Sequence, residues 1–412
     1  MHSSLPNPTP QRIIKPAEFG AGQRVSGNHG SLCAITKLKP TVIYDLISNL
    51  NLGELLLAAI PPANQAKLLD KWTIVLVLIV LVSLTALLLV GQVLKRQPES
   101  NVDPAIIRNF NKRVTSWLTI CALLVVALLL HKTVTVVLFG FVSFWALREF
   151  ITMTPTRRGD HRTLFWVFFG FTPLQYVLVG YDLYSVFSIM IPVYASLFIP
   201  ARIAFTGDHK RFLERTAKIQ FGLLICVYAL SHAPALLNLE LKTLNSSTNQ
   251  LEPWSGSTAG LLFFFIVMVQ ISDMLHFVWD RLFGKHVIAS VVNATKTWEG
   301  LIGAACCTSV IAMLVQSILP VTPFTWYGAG FMALLISVMA SSGSMTMSAI
   351  KRDRRVKVHG TLVLGHAGVL DRIDSLCFAA PIFFHVTRFF LHADNRFGKS
   401  VVQSVAQLLG SV

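Results

Sequence analysis

The stretch WTIVLVLIVLVSLTALLLV, beginning at Trp72, carries no charged side chain and, as a helix, is long enough to cross a bilayer, which takes about 20 residues. In hydrocarbon every backbone N–H and C=O must be satisfied within the segment, so a run of this kind folds as a helix. Comparable runs recur near 73–94, 114–131, 133–148, 163–180, 184–200, 219–238, 257–279, 300–319, 326–348 and 369–391. Of 412 residues, 53% are hydrophobic and 13% charged, where a soluble domain is about a quarter charged. So few polar residues could not cover a water-facing surface. The expectation is an all-α, polytopic integral membrane protein of about ten transmembrane helices. A secreted disulfide scaffold, a cytosolic enzyme and a disordered tail are excluded. The six cysteines are scattered without a C-x-x-C pair, which indicates neither a zinc site nor a disulfide framework. The first twenty residues contain no apolar core of a signal peptide.

The net charge of +15 is what Lys- and Arg-rich cytoplasmic loops produce in a membrane protein, so it does not argue for nucleic acid. Basic connections (Lys95 to Arg113, Arg148 to Arg162, Arg202 to Lys218, then 280–299 and 349–368) alternate with the weakly charged GYDLY, ELKTLNSSTNQLEPWS and PVTPFT. This places the basic loops in the cytoplasm. An even helix count sets both termini on the far side, although the N-terminal arm is modestly basic; alternatively, 42–60 is a further membrane-dipping element. The chain divides into an arm (1–70), partly disordered with an amphipathic segment, a first set of transmembrane helices (71–255), a catalytic transmembrane region (256–392) and a tail (393–412). The segment 240–257 reads as a far-side loop.

Ionisable residues next to spans are functional candidates because they are costly there. Three groups qualify. Asp273 follows an unbroken apolar run, and Asp280 lies at i+7 on roughly the same face; the bland reading is an Asp that caps or pairs with Arg281. Lys285-His286 and Asn293 to Gly300 include Lys296; Thr295 or Thr297 suits a helix cap and Glu299 its first turn. On its own this group reads as a routine helix start. The third runs from Ser348 through Lys351, Arg352, Arg354, Arg355 and Lys357 to Gly365, His366, Gly368, Asp371, Arg372 and Asp374. Asp371 and Asp374, spaced i,i+3, share a helix face, and paired carboxylates suit a hard divalent cation such as Mg²⁺. The clustered cations counter a polyphosphate, and the glycines let backbone N–H groups approach an anion. This is equipment for phosphoryl or nucleotidyl transfer at the cytoplasmic face. No Walker A or Rossmann glycine motif is present.

The segment Ser348 to Asp374 resembles the signature of the phosphatidate cytidylyltransferase (CDP-diacylglycerol synthase) family, S-x-x-K-R-x-x-x-x-K-D followed by P-G-H-G-G-x-x-D-R-x-D. Ser348, Lys351, Arg352, Lys357, Gly365, His366, Gly368, Asp371, Arg372 and Asp374 match it without a gap. Phe283-Gly284-Lys285-His286, Lys296 to Gly300 and Asp273 match further family features. The chain departs from the pattern at Val358 (Asp in the family), Leu364 (Pro), Ala367 (Gly) and Asn293-Ala294 (Ser-Pro), which marks a divergent member. The resemblance implies CTP-dependent cytidylyl transfer to phosphatidate, giving CDP-diacylglycerol and pyrophosphate, in a bacterial inner membrane. It implies Mg²⁺ on Asp371, Asp374 and Asp273. Lys351, Arg352, Lys357, His366 and Arg372 would serve catalysis, and Ser348, Lys285, Lys296, Gly365 and Gly368 would bind substrate. A homodimer is left open. The rivals are the same chemistry on another lipid phosphate, and a catalytically silent relative acting as a binding or assembly protein. A transporter ranks last, because the charges concentrate at one face.

Overall fold

The computed structural model describes residues 69–96, 104–154, 156–245, 250–354 and 368–391. The N-terminal arm with its 42–60 element, the tail, and Lys357, Val358, Leu364, Gly365, His366 and Ala367 lie outside the described residues.

Among the described residues ten helical segments follow one another: α1 Lys71–Arg96, α2 Pro104–Leu130, α3 Lys132–Met153, α4 Arg158–Gly180, α5 Tyr184–Ala204, α6 Phe212–Asn238, α7 Thr258–Leu282, α8 Trp298–Ile318, α9 Trp326–Asp353 and α10 Leu370–Leu391. Among the described residues nine are long and apolar enough to cross a membrane; in α2 only Val114–Leu130 is apolar, a shorter stretch. The all-α polytopic expectation therefore holds. One residue separates α2 from α3: His131 is the N-cap of α3, its ring accepting from the Thr133 N–H at 3.1 Å. This is the tight hairpin expected there.

Two short hairpins interrupt the helices. Strands β1 (Lys242–Asn245) and β2 (Gln250–Pro253) pair antiparallel where the sequence suggested a loop. Strands β3 (Val287–Ala289) and β4 (Asn293–Thr297) pair between α7 and α8. Thr297, rather than Thr295, caps α8, accepting from Gly300 N–H at 3.1 Å.

Helix α7 is the central post. From Ala259 to Val269 it is buried on all sides, Phe263, Phe264 and Phe265 completely, the pattern of a helix surrounded by protein. It packs against α8, α9 and α10, and Phe265 stacks on Phe383 of α10 at 4.7 Å. Hydrophobicity alone does not hold helices together in lipid, so close packing and polar contacts must. The Ser272 and Ser337 hydroxyls join α7 to α9 at 2.7 Å, Ser309 donates from α8 to the Gly330 carbonyl of α9 at 2.6 Å, and Gln175 of α4 donates to Ser231 of α6 at 3.1 Å. Gly343 lets α9 approach α10 closely, since a Cβ there would lie 2.6 Å from the Asp374 carbonyl.

At the basic-loop end, Arg215 of α6 is buried against the fully buried Asp160 of α4, with Nε 3.0 Å from both carboxylate oxygens. The Arg215 guanidinium also donates to the carbonyls of Asp208 and Lys210 at 2.9 and 3.1 Å. Such a pair withstands burial because its remaining donors are satisfied.

Candidate active site

Helices α7, α9 and α10 converge at the basic-loop ends of the bundle. Asp273 stands within α7, about 14 Å from its end at the helical rise, and faces α10. Between the two helices the buried Ser375 hydroxyl donates to Asp273 Oδ1 at 3.0 Å and lies 3.5 Å from Asp374 Oδ1. A hydroxyl has one proton, so it cannot offset both carboxylates. Asp374 also accepts the Ser375 N–H at 2.8 Å.

Asp371 sits one turn nearer the surface and is ion-paired with Lys351 of α9. The three carboxylates expected to act together are thus divided: Asp273 and Asp374 share a serine, while Asp371 is held by a lysine. Among the described residues no three His, Cys, Asp or Glu side chains form a ready-made metal cluster. The Asp273–Asp374 pair nevertheless fits Mg²⁺, which takes one or two carboxylates and completes its shell with water and substrate phosphates. It supplies hard oxygen donors and two like charges on either side of the Ser375 hydroxyl.

The β3–β4 hairpin closes one flank and carries the second group of candidates. Asp280 of α7 accepts Thr297 N–H at 2.9 Å and Thr297 Oγ at 2.7 Å, and its other oxygen meets His276 Nδ1 at 2.8 Å. Asp280 therefore fastens the hairpin to α7. From α9, Ser348 Oγ accepts Asn293 Nδ2 at 3.1 Å, and Arg352 Nε reaches the Val292 carbonyl at 3.4 Å. Glu299 accepts the N–H groups of Lys285 and His286, at 3.3 and 3.1 Å. This arrangement mounts Lys285 and Lys296 on a strap fixed to α7 and α9. Arg372 reaches Ser116 of α2 at 3.4 Å.

One participant was not anticipated. Glu149 of α3 accepts the Leu370 N–H at 3.0 Å, satisfying a donor that the start of α10 would otherwise leave open and placing negative charge at its positive end. A Cβ on Gly368 would fall on the Glu149 carboxylate. The glycine read as an anion-approach residue thus also leaves room for this cap.

Carboxylates paired across two helices, a lysine paired beside them and a basic strap are groups of the kind that phosphate chemistry uses. Residues 111–390 match the model of the cytidylyltransferase family. The chain belongs to this family. It is 31% identical over 279 residues to the uncharacterized protein YnbB of Escherichia coli, covering 67% of this chain and 87% of that one. Two phosphatidate cytidylyltransferases are similar over shorter stretches. That of Haemophilus influenzae is 36% identical over 129 residues (30% of this chain, 44% of that one), and that of Staphylococcus saprophyticus 30% over 122 residues (30% and 46%). The alignment spans less than half the length of these two enzymes. This cytidylyltransferase-family chain is a divergent member, as its departures from the signature suggested.

Proposed function

We propose that this protein transfers a cytidylyl group from CTP to phosphatidate, forming CDP-diacylglycerol and pyrophosphate, in the inner membrane of a bacterium. The observation that carries the reading is the Asp273–Ser375–Asp374 cluster beside the Lys351–Asp371 pair. Family membership and the bacterial relatives named for this activity support it.

A phosphatidate oxygen attacks the α-phosphorus of CTP, the bond from that phosphorus to the bridging oxygen breaks, and pyrophosphate leaves. Phosphatidate is already an anionic nucleophile, so no side chain need take a proton. Asp273 and Asp374 would hold Mg²⁺, joined by Asp371 when Lys351 turns to a phosphate. When bound, the metal supplies charge stabilisation for the phosphate oxygens. Lys351, Arg352, Lys285 and Lys296 offer the cations for the triphosphate and the lipid phosphate, with Lys357 and Arg372 as further candidates.

The test is pyrophosphate release by purified protein with CTP, Mg²⁺ and phosphatidate, beside Asp371→Asn and Asp374→Asn. Lipid-dependent release that disappears in both variants supports the reading; no release from folded protein overturns it. A second reading, the same chemistry on another lipid phosphate, is favoured by one observation: the long alignment is with YnbB, whereas the named phosphatidate enzymes align over 30% of the chain. Release with a different lipid phosphate, such as a polyprenyl phosphate, and none with phosphatidate would decide for it.

A further inference from the structure

The start of α4 treats its cations unequally. Arg157 is paired with Asp208 at 3.3 Å, and the turn is anchored by the buried Asp160–Arg215 pair. Arg158 and Arg162 are exposed and, among the described residues, have no ion-pair partner; nor has the exposed His161. Between the end of α3 and the first turns of α4 runs a groove of about 540 Å³, lined by Thr152, Thr156 and His161 with Ile151, Leu164 and the three rings of Phe165, Phe168 and Phe169; Arg158 and Arg162 lie near its lining residues in sequence and do not line it. Arg158 precedes His161 by three residues and Arg162 precedes Phe165 by three, a spacing that puts neighbours on one helix face. Phe169 lies about 12 Å farther along the helix than His161, so the groove grades from two hydroxyls and an imidazole to bare aromatic rings. Val167–Phe171 forms a widened π-turn, and the successive Phe168 and Phe169 within it both line the groove. Such turns are frequent at functional sites.

We propose that this groove is a binding site for an anionic phospholipid, with an acyl chain along Phe165, Phe168 and Phe169 and the phosphate held by Arg158 and Arg162. The occupant is a lipid because the polar end lies at the level of the basic loops while the aromatic end lies within a membrane-spanning segment. It is anionic because the two unpaired guanidiniums supply charge that nothing in the described protein neutralises. The site is built from α3 and α4 and shares no residue with the carboxylate cluster of α7 and α10, so it does not rest on the proposed reaction.

The experiment uses the full chain in nanodiscs containing either phosphatidylglycerol or phosphatidylcholine with a photoreactive acyl chain, and maps adducts by peptide mass spectrometry. Phosphatidylglycerol should label 151–169 roughly tenfold more than phosphatidylcholine, as expected for two cations near a lipid phosphate. The preference should fall several-fold in high salt and vanish in Arg158→Ala/Arg162→Ala. Phe168→Trp, which fills the groove without touching its charge, should reduce labelling there and leave labelling of α1 unchanged. Equal labelling by the two lipids, an unaltered preference in the double variant, or full labelling of Phe168→Trp would each overturn the proposal.

Discussion

At the scale of single residues, the carboxylates separate function from stability. Asp374 and Asp273 carry like charge on either side of the Ser375 hydroxyl. Asp374→Asn removes a charge that opposes folding and should leave the thermal midpoint unchanged or raised. The same substitution should lower turnover roughly 10²-fold or more, the scale of losing one electrostatic contributor to phosphoryl chemistry. Pyrophosphate release and thermal melting on the same sample check both halves. Glu149 behaves in the opposite way. Glu149→Ala leaves the start of α10 uncapped and should cost about 1 kcal/mol, read as a lower midpoint. Gly368→Ala forces the cap aside and should reduce activity as well, with Glu149→Asp in the same chain restoring part of it by shortening the obstructing side chain. The i,i+3 carboxylates were legible in the sequence because both belong to one local period. Glu149 was not, since its partner lies 221 positions away and no local pattern distinguishes a carboxylate near a helix end from one that caps another helix.

Among the elements, the helices were written in their apolar runs and the β3–β4 hairpin was not. Asn-Ala-Thr-Lys-Thr has no alternation of apolar and polar residues, and its pairing is fixed from outside by Asp280, Ser348 and Arg352. Nothing in a window of five residues encodes that. The hairpin is therefore only as well placed as its fastenings. Asp280→Ala strands the Thr297 N–H and hydroxyl and should cost about 1–3 kcal/mol; Thr297→Ala loses the α8 cap and should cost about 0.5–2 kcal/mol. Both should raise the apparent KM for CTP more than they lower kcat, because the strap carries Lys285 and Lys296 while the carboxylates stay on α7 and α10. Steady-state kinetics against thermal melting separates this outcome from general unfolding.

For the whole molecule, charge asymmetry and packing make one directional statement. The basic connections gather at one end of the bundle, where α7, α9 and α10 meet, and Asp182 and the β1–β2 hairpin are at the other. Cysteines introduced at Lys285 or Arg354 should react with a membrane-impermeant maleimide only after the cytoplasmic side is opened, and those at Asp182 or Glu240 should react from the outside of intact cells. The buried Asp160–Arg215 pair ties the starts of α4 and α6 together. Asp160→Asn leaves an uncompensated buried guanidinium, should cost about 3–5 kcal/mol, and should be seen as loss of folded protein in detergent.

Helix α10 carries two of the candidate aspartates, yet it packs on α3 and α6 as well as on α7 and α9, and α3 supplies its cap. The signature-bearing third of the chain is consequently not a transplantable module. A chimera that grafts residues 256–412 onto foreign leading helices should fail unless α3 and α6 travel with it. A chain cut between β1 and β2 and co-expressed as two pieces should reassemble, because each piece holds half of the same set of mating surfaces.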